Sequence, residues 1–136
     1  MTVVIYIKIY DIKEEIDPQI HLQRFRYILP PLVAHVLVAL TTDHHTATEA
    51  GHKLIDIYTR YPFYVKMTWA GFPTTVGGAA PDDLVDSLVI SGNEDTVSGR
   101  FSEFLASELD ELMVTLLPII NVNDEQVRFL QLVAGL

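Results

Sequence analysis

Residues Leu32 to Leu40 read LVAHVLVAL, an apolar run broken only by His35 and set between Pro30-Pro31 and Thr41-Thr42. A strand with one wet face alternates apolar and polar side chains. A run that is apolar on both sides needs cover on both. The segment therefore predicts a buried strand inside a sheet covered by helices, and this requirement narrows the fold more than any other feature of the chain. His35, alone among aliphatic neighbours, is read as a hydrogen-bonded core residue.

The other elements follow from periodicity. Thr2 to Ile12 (TVVIYIKIYDI) alternates with period two. Val3, Ile5, Ile7 and Ile9 share one aliphatic face, and Val4, Tyr6, Lys8 and Tyr10 share a mixed face suited to a helix or a neighbouring subunit. Asp11 to Gln19 reads as a loop and His21 to Leu29 as a short helix stopped by the two prolines. Thr46-Ala-Thr-Glu49 has the form of a capping box, opening a helix to about Arg60 whose stripe is Ala47, Ala50, Leu54, Ile57, Tyr58 and Tyr61. Phe63 to Ala70 alternates as a further strand, making a right-handed parallel crossover with the buried one. Gly71 to Asp83 is a loop and Leu84 to Ile90 a short strand. Ser98 to Leu117 predicts the longest helix, with Phe101, Phe104, Leu105, Leu109, Leu112 and Leu116 inward, ended by Pro118. Asn123 is expected to cap a last helix in which Val127, Phe129, Leu130, Leu132, Val133 and Leu136 spread around most of the circumference.

Together these predict one α/β domain spanning 1–136: a mostly parallel or mixed sheet of about four strands flanked by helices, with an all-helical C-terminus. The 136 residues are 49% hydrophobic and 20% charged, which excludes disordered and low-complexity classes. No apolar stretch approaches the roughly 20 residues of a membrane helix. The first residues lack the cationic head and apolar core of a secretory leader. The chain has no cysteine, which removes disulfides and thiolate chemistry and fits a cytoplasmic protein.

Charge is unevenly placed. The formal net charge is -9, yet residues 1–67 hold as many bases as acids, so the whole excess lies in residues 68–136. An acidic surface repels phosphate backbones and anionic membranes, which disfavours direct nucleic-acid binding and membrane adsorption; it can steer the protein onto a basic partner.

No nucleotide-binding glycine motif, metalloprotease motif or nucleophile elbow is present. The leading expectation is accordingly a non-enzymatic interaction or assembly module. It self-associates through Val127, Leu130, Val133 and Leu136, offers an acidic surface to a protein partner, and needs neither metal nor cofactor. The alternative is a small enzyme or ligand-binding domain built on Asp43, His44 and His45. Two imidazoles at a junction of strand and helix N-terminus suit an anion, a proton transfer or, with Asp43, a metal. His45, Glu49 and His52 also share the i, i+4, i+7 spacing of ligands on one helix face, although a solvated turn explains all of these residues as well. A third reading is an inhibitor that imitates nucleic acid through Glu103, Glu108, Asp110 and Glu111 along the long helix.

Overall fold

The computed structural model describes residues 3–9, 32–58, 60 and 78–136. Strand β1 (Val3–Lys8), strand β2 (Val33–Ala39) and helix α1 (His44–Tyr58) come first. They are followed by α2 (Asp82–Leu88), β3 (Val89–Ser91), α3 (Glu94–Leu105), β4 (Glu111–Leu116) and α4 (Val122–Ala134). The strands form one sheet in the order β1-β4-β2-β3. Strand β2 is parallel to both β3 and β4, whereas β1 runs antiparallel to β4. The sheet is therefore mixed, and the domain is α/β, as expected.

Two cores sit on the two faces. Val36, Val38 and Leu40 of β2 join Ile7, Leu112, Val114 and Leu116 under α3 and α4, whose Val97, Phe101 and Phe129 are buried against them. Leu37 and Ala39 face the other way, onto Ala47 and Ile55 of α1 and Leu84 and Val85 of α2. Right-handed crossovers that step in opposite directions along a sheet leave their helices on opposite faces. The chain steps from β2 out to β3, then back past β2 to β4, and its helices are divided accordingly. Phe101 and Phe129 tie α3 to α4 edge to face, with ring centroids 6.2 Å apart.

Four expectations are corrected. The helix predicted for Ser98 to Leu117 is two elements: α3 ends at Leu105, and Glu111–Leu116 is the central strand β4. Its apolar spacing fits a helix only because α3 supplies Phe101, Phe104 and Leu105 while β4 supplies Leu112 and Leu116 by alternation. Between them the Ser107 hydroxyl donates to the Phe104 carbonyl at 2.5 Å and accepts from the Leu109 amide at 3.3 Å, a local turn that competes with the helix. Second, the strand expected at Leu84 to Ile90 is α2 followed by the three-residue β3. Third, Thr46 opens no capping box. Asp43 caps α1 and Thr46 lies inside it. Fourth, Asn121 rather than Asn123 caps α4, its side chain accepting from the Asp124 amide at 3.0 Å. The loop at Asp11 to Gln19, the helix at His21 to Leu29 and the strand at Phe63 to Ala70 lie outside the described residues.

Two backbone details hold the connections. Gly92, after β3, has φ 143°, a conformation that favours glycine. The Glu125 side chain is buried, and its two oxygens accept from the Ile119 and Ile120 amides at 2.9 Å each, bracing the turn into α4.

Gly51 sets how closely α1 approaches its neighbours. A Cβ there would stand 2.7 Å from Val85 Cγ1 and 2.8 Å from Val89 Cγ2. Alanine gains about 1 kcal/mol in helix propensity over glycine, while overpacking a tight core costs about 1–3 kcal/mol. Gly51→Ala is expected to lower stability by about 1 kcal/mol net, read as a lower urea midpoint at unchanged slope. A raised midpoint would show that α1 and α2 separate without strain.

Candidate functional site

Strands β2, β3 and β4 all end at one edge of the sheet, so the N-termini of α1, α3 and α4 gather there. In open α/β sheets such an edge is where ligands bind. Here each helix start already carries its own acid or cap. The Asp43 carboxylate accepts from the His45 and Thr46 amides at 3.1 and 3.4 Å and from the Thr46 hydroxyl at 2.9 Å. Those bonds from Thr46, with the lesser help of His45, hold its carboxyl below the ordinary value. Asn93 accepts from the Thr96 amide at 3.0 Å, with Glu94 and Asp95 in the first turn of α3. Asp124 and Glu125 occupy the first turn of α4. Carboxylates thus meet the amides and the positive dipole ends an anionic ligand would use.

The histidines of α1 diverge. His44 Nε2 lies 3.4 Å from Asp86 Oδ1 on α2, and His45 Nε2 lies 3.0 Å from Glu49 Oε1 on its own helix. Neither aims at a shared point with Asp43, whose side chain is engaged as a cap. Nor do His45, Glu49 and His52 converge, because His52 turns to Asp56 and Asp82. Among the described residues no three His, Asp or Glu side chains are placed to hold a metal ion.

The tightest polar cluster is one the sequence conceals. His52 Nδ1 lies 3.1 Å from Asp56 Oδ1, and its Nε2 lies 2.6 Å from Asp82 Oδ1 at the start of α2. Asp56 Oδ1 also accepts from the Ala80 amide at 2.8 Å. Burial opposes charging this ring, but the hydrogen bonds to Asp56 and Asp82 outweigh it, and the pKa is raised. With a carboxylate at each nitrogen the ring has no open position for proton transfer, so it acts as a clamp between α1 and α2. The second tie between those helices is Asp86, which accepts from the Thr48 hydroxyl at 3.1 Å and faces His44. The i, i+4 spacing of His52 and Asp56 is legible in the sequence; the arrival of Asp82, thirty residues on, is not.

His35 is half-buried with Nε2 2.8 Å from Thr115 Oγ1, and burial lowers its pKa. This is the hydrogen-bonded core histidine the apolar run predicts.

The four acids assigned to one helical face come from three places. Glu103 lies on α3 and pairs with Arg100 at 2.8 Å; Glu108 is exposed in the turn; Glu111 belongs to β4. Asp110 accepts from the Leu32 amide at 2.7 Å, and its own amide donates to the Leu32 carbonyl at 2.8 Å, which seats the start of β2 against β4. On α4, Phe129 is fully buried, and Leu132, Val133 and Leu136 pack on the same core. Val127 and Leu130 point outward, 54% and 46% exposed. Arg128 lies beside them, donating through Nε to Glu94 Oε1 at 2.9 Å and to the same oxygen through Nη2.

No protein-family model matches the chain, and no characterised protein or solved structure matches it either. Among the described residues no helix is long and apolar enough to cross a membrane.

The clamp has a pH signature. A histidine whose pKa is raised on folding contributes stability that is fully present below the ordinary value of 6.5 and is lost as pH rises through the folded value. His52→Gln is therefore expected to destabilise the protein more at about pH 5.5 than at about pH 8.5. Paired urea titrations at both pH values measure this; an equal loss at both would show that the ring stays neutral. Asp43→Ala is expected to cost about 0.5–2 kcal/mol at neutral pH through the lost cap, with the same assay as readout.

Proposed function

We propose that this chain is a non-enzymatic interaction module that self-associates and offers an acidic surface to a protein partner. The observation that carries the reading is the outer face of α4. A helix that buries Phe129 completely presents Val127 and Leu130 to solvent three residues apart, on one side of its axis. Ile120, just before the helix, is 93% exposed. Large apolar side chains grouped on one surface favour removal from water by a partner, each buried one contributing about 1.5–3 kcal/mol. Exposed acids on α2, α3 and the turn before β4, with Asp83, Asp95, Glu103 and Glu108 among them, supply the charge that would orient a basic protein.

The solution mass, from light scattering coupled to size exclusion, tests this directly. The parent is expected to run as an oligomer, and Val127→Asp with Leu130→Asp to shift it to monomer with unchanged helical circular dichroism. A parent that stays monomeric up to high micromolar concentration would overturn the reading.

A further inference from the structure

A second apolar surface lies on the opposite side of the sheet from α4. Val4 of β1 is aligned with Thr115 of β4, and Thr115 with Leu37 of β2, so Val4 and Tyr6 share the face that α1 and α2 cover. That cover stops short of them: Val4 is 45% and Tyr6 60% exposed, and Val33, on the same face of β2, is 48% exposed. Helix α1 rises beside this floor as a wall. Ala50, Leu54 and Ile57 follow the i, i+4, i+7 stripe, and Ile57 is 43% exposed. A cavity of about 230 Å³ opens at one end of the step, between Ala50, Lys53 and Leu54 and the end of β4 from Thr115 to Pro118.

Arg100 and Arg128 are paired with acids of α3 and α4. Among the described residues Lys53 on the rim takes part in no ion pair, whereas Lys8 on the floor stands opposite Glu111. The stripe on α4 has a border of opposite sign: Asp124 and Glu94 share Arg128, and with Asp95 beside them three carboxylates surround one cation. An apolar helix face with a net acidic border fits an apolar step with Lys53 on its rim.

We infer that the outer face of α4 in one copy docks into the step beside α1 of the next copy. This rests on the self-association proposed above and specifies its geometry. The two surfaces occupy opposite faces of one sheet, so they cannot meet within a copy, and the contact is heterologous, repeating head to tail until it closes as a ring or continues as a filament.

Complementation tests it. One variant carries Val127→Asp and Leu130→Asp, the other Tyr6→Asp and Ile57→Asp. Each alone is expected to be monomeric by light scattering, because each lacks one half of the contact. Mixed in equal amounts they are expected to form a 1:1 heterodimer that grows no further, since only one intact pair of surfaces remains. A step variant that keeps the parental mass while the α4 variant is monomeric would overturn the inference and leave self-association standing as symmetric pairing of α4. Failure of two monomeric, folded variants to combine would overturn it too. A monomeric parent would remove both proposals together. If the step variant does not fold, Lys53→Glu replaces it. The dissociation constant is then expected to rise about tenfold at low salt and by less at high salt, and an unchanged constant would refute the docking.

Discussion

Strand β2 sends Val36 and Val38, with Leu40 just after it, into one core and Leu37 and Ala39 into the other, so its second half is covered on both faces. Its backbone amides and carbonyls must then be satisfied inside the sheet, because an unpaired buried peptide group costs as much as the hydrogen bond it lacks. Parallel neighbours on both sides meet that demand, β3 on one edge and β4 on the other. Parallel pairing in turn requires crossovers, and their opposite directions divide the helices between the two faces. The layered architecture is the consequence of burying the second half of one apolar stretch on both sides.

That stretch was legible because two-sided burial leaves a mark in composition. So was β1, whose Ile5, Ile7 and Ile9 turn to the core while Val4 and Tyr6 turn away. Strand β4 was not legible. In ELMVTLL both faces are apolar apart from Glu111 and Thr115, so the segment has little alternation, and a 3.6-residue spacing can be drawn through it as readily as a two-residue one. Neither glycine nor proline marks the turn before it. The boundary is written instead in the Ser107 hydroxyl and in Asp110 meeting Leu32, a contact between residues 78 apart. Helix starts erred in a related way: Thr46 and Asn123 are competent caps, but Asp43 and Asn121 lie two or three residues earlier and engage the amides first.

The candidate site illustrates the same limit. Asp43, His44 and His45 are adjacent in the chain, and adjacency suggests convergence. On a helix, successive side chains diverge by about 100°, so the two rings reach different acids. In the sequence His52 stands out only by its spacing from His45 and Glu49, and only the docking of α2 brings Asp82 to it. Glycine in the middle of α1 is the matching apolar signal: Gly51 allows the approach of Val85 and Val89 that places His52 and His44 within reach of Asp82 and Asp86. Close packing and polar clamping between α1 and α2 are one device.

The pairing of β1 with β4 bears on how the chain is made. Val3 lies opposite Leu116 and Lys8 opposite Glu111, so β1 pairs with a strand made roughly a hundred residues later. At synthesis rates of about 5–20 residues per second, that interval is on the order of ten seconds. For that time a ribbon of valine and isoleucine with strong strand propensity waits for the partner it has among the described strands. Its pairing closes the longest loop among the described strand pairs, and such closures are slow because the chain's entropy must be surrendered before any contact forms. Synthesis order and pairing order are therefore opposed for these two strands: β1 is made before β4 by the whole of the intervening chain, and it is open to wrong partners for that time.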